Sequence, residues 1–249
     1  AAAVGIALGV LALSGVNWLL LWLLPRTGRS FGPDKPSALA LSALQALIAV
    51  TLGLVGAAPA ITFVVVMLIS LLAYYATWIE PFKLGLTRER LQVNGWQGEG
   101  VCLRVMHIAD IHVERTTERE HELNARIAHH KPDLIVFSGD FVNISYTHDE
   151  QAKADIRAII GEWNAPLGVF CVPGTPVVEP LPRVIEFVQG LDNLTLLANR
   201  WHTVETACGA LHILGLITTH DLKTDREALA QMMRSAPAGD MKLLLVHSP

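Results

Sequence analysis

The feature that most constrains this chain is the uneven distribution of its charges. Only four of the first 79 residues are charged, whereas the remainder carries 16 basic and 22 acidic side chains. The four are Arg26, Arg29, Asp34 and Lys35. An apolar segment followed by a normally charged one is typical of a membrane region joined to a globular domain. We therefore predict a membrane region at 1–79, a linker at 80–100 and a globular domain at 101–249.

Three apolar stretches are long enough to cross a bilayer, for which about 20 residues suffice. Residues 1–25 contain no charge, and the second uncharged stretch is too long for one span and is divided by the sequence GAAPA at 56–60. A signal peptide explains the first stretch less well, because its apolar part would be too long and no basic segment precedes it. We predict a multi-pass protein of the cell membrane, in contact with the lipid bilayer, with transmembrane helices at 1–25, 37–56 and 60–79.

Basic residues in the short loops predict the orientation. Three lie between the first two spans and three follow the last: Arg26, Arg29, Lys35, Lys83, Arg88 and Arg90. Because cytoplasmic loops carry the excess of lysine and arginine, the domain that follows residue 80 is expected in the cytoplasm. The three cysteines have no metal-type spacing and are expected to be buried free thiols of a reducing compartment, which agrees with this orientation.

Strand-like and helix-like segments alternate from residue 101 onward. Apolar runs such as LIVF at 134–137 and KLLLV at 242–246 are typical of strands covered on both faces. Helices are predicted at 117–130, 150–163, 181–190 and 225–235. The alternation predicts an α/β domain with a mostly parallel sheet, in which the functional groups lie beyond the carboxyl ends of the strands.

Three of these strand ends carry side chains that bind metals. The predicted strand 101–108 is followed by Asp110 and His112, the next strand by Asp140, and the last strand ends at His247. Carboxylates and imidazoles are the ligands of divalent transition metals. These four residues are therefore the candidate metal ligands; for the first three, loop capping and surface polarity are the alternative.

Four short motifs resemble successive blocks of one enzyme family. They are DIH at 110–112, GDFVN at 139–143, VPGT at 172–175 and VHSP at 246–249. Their order and spacing are similar to those of the calcineurin-like metallophosphoesterases, most closely a membrane-anchored bacterial branch. The resemblance implies a β-sandwich flanked by helices, with two divalent metal ions (Mn, Fe or Zn) at the strand ends.

The resemblance also implies a role for each candidate ligand. Asp110 and His112 would bind the first ion, Asp140 would bridge both ions, and His247 would bind the second. Two such ions lower the pKa of a bridging water and hold the phosphate oxygens for attack. The implied substrate is a phosphate mono- or diester, with lipid-linked and nucleotide-linked compounds as the candidates.

Two departures from the family pattern bear on activity. The family block Gly-Asn-His-Asp/Glu reads GTPV here, so Thr175 stands at the position of a metal-binding asparagine and Pro176 at that of a histidine that assists the leaving group. Thr175 is thus a possible weak metal ligand, and no catalytic residue is assigned. The family's later Gly-His-x-His block has no counterpart in the chain, so we expect the domain to be incomplete at its C-terminus.

Two functions therefore remain open. The first is a membrane-anchored, metal-dependent phosphoesterase. The second is a non-catalytic, metal-binding or regulatory membrane protein that has lost the family's catalytic histidine. The net charge of −6 on residues 80–249 argues against general nucleic-acid binding, because no basic surface is available to neutralise phosphates.

Overall fold

The computed structural model describes residues 2–29, 32–93, 103–238 and 241–248. The chain divides into two compact units, one made of residues 1–85 with 117–119, the other of residues 86–116 with 120–249. Part of the predicted linker 80–100, the first two residues of the predicted strand 101–108, and Pro249 lie outside the described residues. The predicted domain boundaries stay a prediction.

Three apolar helices dominate the first unit. They are α1 (Ala2–Leu23), α2 (Asp34–Leu54) and α3 (Pro59–Tyr74). Within the described residues, three candidate membrane spans overlap these helices and have mean hydropathies of 2.1, 1.9 and 2.1. Pro59 is the first residue of α3, a position that suits proline because the first helical N–H has no partner within the helix. Three long apolar helices are thus confirmed; that they cross a membrane rests on their length and composition.

The three helices meet around a buried polar cluster formed by Asn17, Gln45 and Ser70, one residue from each helix. The Nδ2 atom of Asn17 donates to Ser70 Oγ at 3.1 Å and to Gln45 Oε1 at 3.4 Å, and Gln45 Nε2 donates to Ser70 Oγ at 2.8 Å. Gln45 is completely buried. The hydrocarbon core of a bilayer offers no hydrogen-bonding partner, so in a membrane these side chains would satisfy one another.

The second unit contains a four-stranded parallel sheet. Its strands, in spatial order, are β1 (Val105–Ile108), β2 (Leu134–Phe137), β3 (Val169–Cys171) and β4 (Leu194–Leu196). The connections contain α4 (Glu118–His130), α5 (Glu150–Gly161) and α6 (Leu181–Val188). The predicted α/β alternation and parallel sheet are confirmed.

A second sheet has three strands. They are β5 (Arg200–Thr206), β6 (Gly209–Gly215) and β7 (Met241–Leu245), with α7 (Leu222–Ser235) between the last two. β5 and β6 form an antiparallel hairpin, and β7 pairs with β6 in the parallel sense. The parallel pairing gives β6 and β7 the same direction, so the chain leaves β7 at the end where β6 also terminates.

Alternate residues of β2 face two different apolar layers. Ile135 and Phe137 pack in one cluster with Ile156 of α5, whereas Leu134 and Val136 pack in another with residues of the second sheet such as Ile213. Both faces of the strand are therefore buried, which explains why its sequence is a continuous apolar run rather than an alternation. The two sheets share the second of these layers.

The expectation that all three cysteines are free thiols is wrong for Cys208, which is disulfide-bonded. Cys171 is a free thiol, as expected; it is buried in β3, and desolvation raises its pKa to about 12. Cys102 lies outside the described residues. Disulfide pairing depends on distances in the fold, which cysteine spacing in a sequence does not reveal. The predicted orientation therefore rests on the basic loops alone.

Candidate metal centre

Asp110 and His112 lie in the loop that leaves β1 at its carboxyl end. Their backbones have φ values of 54° and 41°, in the left-handed region that few residues other than glycine adopt. The N–H of Asp110 donates to the carbonyl of Gly139 at 3.1 Å, and the N–H of His112 donates to the carbonyl of Asp140 at 3.0 Å. The loop after β1 is thus hydrogen-bonded to the loop after β2, and the candidate ligands of both loops lie side by side.

Asp140 occupies the centre of the group. It follows Gly139 at the end of β2, also with a left-handed φ of 59°, and its side chain is only 10% exposed. Its Oδ2 atom lies 3.6 Å from His112 Nε2 and 3.5 Å from His247 Nε2. One carboxylate oxygen therefore lies within 3.6 Å of two histidine nitrogens, an arrangement suited to a ligand shared by two cations.

His247 reaches the group from the second sheet, two residues after the end of β7. Its Nδ1 atom lies 2.8 Å from the carbonyl oxygen of Ser138. A carbonyl only accepts hydrogen bonds, so the proton of a neutral imidazole resides on Nδ1 and Nε2 keeps its lone pair. A hydrogen bond of this kind fixes the tautomer and the ring orientation that a metal ligand needs.

Thr175 approaches the same carboxylate from the loop that follows β3. Its N–H donates to Asp140 Oδ1 at 2.7 Å, and its hydroxyl donates to Asp140 Oδ2 at 3.2 Å. The hydroxyl oxygen also lies 3.4 Å from His247 Nε2. The neighbouring Pro176 is half-buried and brings no polar atom in its side chain.

The spacing of these atoms fits divalent metal ions. Asp110, His112 and Asp140 each offer one ligand atom, and these atoms all lie within 4.8 Å of one another. Metal bonds of about 2.0–2.2 Å place neighbouring ligand atoms of a tetrahedral shell roughly 3.3–3.6 Å apart. The distances of 3.5 and 3.6 Å around Asp140 Oδ2 agree with that spacing.

The charge of the site also favours a cation. Among the described residues, no lysine or arginine forms an ion pair with Asp110 or Asp140, whose ion-pair partners are the histidines. Two carboxylates with no lysine or arginine partner favour a cation at the site, and charge in a partly buried site is stabilised by metal coordination. Divalent metals are therefore compatible with both the donor atoms and the electrostatics.

The structure adds Glu179, which the sequence interpretation missed. Its side chain is 1% exposed, and burial raises its pKa to about 7, with a smaller contribution from the charge of Asp140. Glu179 accepts hydrogen bonds from the backbone beside Asp140. The available signal was an acidic residue within the otherwise uncharged stretch VVEPL at 177–181.

Two other histidines have different partners. His107 lies on β1 with Nε2 3.0 Å from Ser138 Oγ, and His148 lies in the turn before α5 with Nδ1 3.0 Å from Arg183 Nη2. The structure thus brings together the four predicted ligands and Thr175, whereas His107 and His148 are hydrogen-bonded to Ser138 and Arg183. The assignment of the ligands stays a prediction.

Comparison with known proteins bears on the same region. Residues 103–178 match the family of calcineurin-like phosphoesterases. One relative is the uncharacterized metallophosphoesterase YkoQ of Bacillus subtilis (strain 168), 26% identical over 160 residues, or 59% of this chain and 53% of YkoQ. The chain therefore spans about half the length of the curated relative it matches. Asp110, His112, Asp140 and Thr175 lie within the matched residues, and His247 lies beyond them. Residues 103–178 are thus similar to the calcineurin-like phosphoesterases.

Proposed function

We propose that the chain is a membrane-anchored, metal-dependent phosphoesterase that hydrolyses phosphate mono- or diesters. The observation that carries the proposal is the position of Asp140 Oδ2, 3.6 Å from one histidine nitrogen and 3.5 Å from another. That oxygen lies in the region that matches the phosphoesterase family.

Each ligand has a defined part in this proposal. Asp110 and His112 hold a first divalent ion, His247 with Thr175 holds a second, and Asp140 is shared. Two bound divalent ions supply an activated water and stabilise the charge on the phosphate oxygens. The protein keeps the ligands in place, since Ser138 fixes the tautomer of His247 and Thr175 fixes both oxygens of Asp140.

The rest of the chain narrows the substrate. Three candidate membrane spans favour a phosphate ester that is presented at a membrane, such as a lipid-linked or nucleotide-linked compound. The net charge of −6 on residues 80–249 disfavours long nucleic acids. The basic loops favour a cytoplasmic position for the phosphoesterase domain in the cell membrane.

Hydrolysis of p-nitrophenyl phosphate and bis(p-nitrophenyl) phosphate tests the proposal. The full-length protein in detergent, stripped with EDTA, should be inactive and should regain activity with Mn²⁺, Fe²⁺ or Zn²⁺. Asp140→Ala should remove that activity. Asp192→Ala should keep it, because Asp192 is exposed and precedes β4, at the opposite edge of the sheet. Activity that needs no metal, or that survives in Asp140→Ala, would contradict the proposal.

A second function has one observation in its favour, which is the proline at position 176. A proline side chain cannot donate a proton to a leaving group. A protein of this kind would bind metal and act as a metal-binding or regulatory membrane protein without turnover. Stoichiometric metal binding together with no hydrolysis of either nitrophenyl ester would support this alternative.

A further inference from the structure

The carboxylate of Glu179 joins two loops that carry metal-centre residues. Its Oε2 atom accepts the N–H of Asp140 and the N–H of Gly174, each at 3.1 Å. Its Oε1 atom accepts the N–H of Val142 at 2.9 Å. One side chain therefore ties the segment after β2 to the segment after β3.

We propose that Glu179 is a positioning residue for the metal centre, which sets the place of Asp140 by clamping these two loops together. The inference rests on the proposed metal-binding function of Asp140. Glu179 lies one residue beyond the range that matches the phosphoesterase family, so that match says nothing about it.

The backbone around Asp140 explains why an acceptor is needed there. Gly139 and Asp140 have φ values of 91° and 59°, so the chain departs from the extended conformation of β2 and the N–H of Asp140 donates to Glu179. Buried backbone N–H groups require a partner, and consecutive groups in such turns converge on an anionic oxygen. A buried carboxylate satisfies N–H groups from both loops at once.

The same clamp determines where the side chain of Asp140 points. A methyl group on Gly174 would overlap the carboxylate of Asp140, so the two loops lie in direct contact. The N–H and hydroxyl of Thr175 then reach the two oxygens of Asp140 at 2.7 and 3.2 Å. If the loops separate, these hydrogen bonds lengthen and Oδ2 loses its position beside His112 and His247.

The local sequence places Glu179 for this role. The N–H groups of Val178 and Glu179 both donate to the carbonyl of Thr175, at 3.0 and 2.8 Å, which forms a tight turn before α6 begins at Leu181. The turn folds the side chain of residue 179 back beneath the loop from which it came. Glu179 does not approach a cation as a ligand in this arrangement, because both of its oxygens are engaged by backbone N–H groups.

Metal binding in three variants tests the inference. Mn²⁺ affinity and stoichiometry would be measured by isothermal titration calorimetry on the EDTA-stripped, full-length protein in detergent. Glu179→Gln keeps the shape but places an amide N–H against a backbone N–H, and Glu179→Asp is too short to reach both loops. Loss of a residue that orients a ligand typically costs about 10–100-fold in metal affinity, so we expect a loss of tenfold or more in each variant. Glu186→Gln is the matched control on exposed α6 surface and should bind as the wild type does.

The outcomes separate this inference from the proposed function. Wild-type Mn²⁺ binding that is lost in Asp140→Ala but unchanged in Glu179→Gln and Glu179→Asp overturns the positioning role alone. A wild-type protein that binds no Mn²⁺ overturns the metal centre, and the positioning role with it. A simple loss of stability is recognised by the thermal midpoint of the metal-free variants: a positioning role requires weaker binding in a variant whose midpoint matches that of Glu186→Gln.

Discussion

Thr175 holds the carboxylate of Asp140 by both oxygens. Its N–H donates to Oδ1 at 2.7 Å and its hydroxyl to Oδ2 at 3.2 Å. The family pattern has an asparagine at this position, whose amide oxygen is a stronger metal ligand than a hydroxyl. A hydroxyl that donates to Asp140 can still offer a lone pair toward His247, 3.4 Å away, and we expect a second metal site of reduced affinity.

Pro176 should make turnover depend on the leaving group. General acid catalysis contributes about 10²–10⁴-fold, and proline cannot provide it. Nitrophenyl esters need no proton on departure, so they should be hydrolysed far better, relative to alkyl esters, than by a family member with the full Gly-Asn-His block. The double change Thr175→Asn with Pro176→His should raise the rate on alkyl esters more than on nitrophenyl esters. Steady-state rates on matched nitrophenyl and alkyl phosphodiesters measure both effects.

Equal rates of the unaltered protein on the two ester classes would show that the proton comes from another group. The double change also alters the backbone, because proline fixes its own φ and restricts the residue before it. Pro176→Ala in the Thr175→Asn background is the matched control, since it releases the same backbone without adding an imidazole.

Asp140→Ala should cost more bound metal than His112→Ala. Asp140 Oδ2 lies within 3.6 Å of two histidine nitrogens and is assigned to both ions of the proposed centre, whereas His112 is assigned to one. Metal content of the purified full-length protein, measured by inductively coupled plasma mass spectrometry, should fall by more than half in Asp140→Ala and by less in His112→Ala. Equal content in the wild type and Asp140→Ala would remove the basis for the ligand assignment.

Asp149 should make the stability of the globular region depend on acid pH. Hydrogen bonds from Arg115, at 2.8 and 3.0 Å, hold the pKa of Asp149 below its ordinary value of 3.8. The folded state then binds fewer protons than the unfolded state, so the stabilisation is present above about pH 4 and is lost as the pH falls through the lowered pKa. Asp149→Asn keeps an oxygen for the N–H of Ala152 at the start of α5 but cannot ionise.

The difference in thermal midpoint between the wild type and Asp149→Asn should therefore narrow as the pH falls from 7 to 3. In an Arg115→Gln background, the difference in thermal midpoint caused by Asp149→Asn should depend much less on pH. If the difference in thermal midpoint between the wild type and Asp149→Asn stays constant with pH, the Arg115–Asp149 pair does not stabilise the fold. Circular dichroism melts of the detergent-solubilised protein provide both comparisons.

A reporter fused after residue 90 should behave as cytoplasmic. This orientation is expected from the basic residues of the first loop and of the segment after the third candidate span. Green fluorescent protein at that position should be fluorescent and alkaline phosphatase inactive. Replacing Arg26, Arg29 and Lys35 by glutamine should increase the fraction with the opposite orientation.

An alkaline phosphatase fusion that is active in the periplasm would contradict this prediction. It would agree instead with the disulfide at Cys208, because disulfides persist in oxidising compartments and are rare in the cytosol. Labelling of Cys208 with a thiol reagent in whole cells, before and after reduction, distinguishes the two compartments independently of the fusion.

The residues at the strand ends could be predicted from the sequence because each apolar, strand-like run is followed closely by a residue type that binds metals. LIVF is typical of a strand buried on both faces, and Gly139 and Asp140 follow it after Ser138. The position of Asp140 at the sheet edge therefore depends on one short segment. His247 follows β7 in the same way. Helices α5 and α7 were likewise predicted within three residues at each end.

The parts that were missed depend on contacts between distant segments. Glu179 acts on Asp140, 39 residues away, through backbone N–H groups whose direction is set by left-handed φ values that the sequence does not display. The carbonyl of Ser138 meets His247 across 109 residues of chain. The sequence pattern also did not predict the disulfide at Cys208 or the polar cluster among the apolar helices, because the partners of these residues are determined only by the fold.

In the proposed membrane anchor, the hydrogen bonds among Asn17, Gln45 and Ser70 should couple the insertion of the three helices into the bilayer during synthesis. Gln45 in α2 depends on Ser70, which the ribosome adds 25 residues later. An amide that enters hydrocarbon ahead of its partners finds no hydrogen-bonding group there. The nascent chain is therefore expected to keep α1 and α2 beside the translocation machinery until α3 has emerged, and to release all three into lipid together.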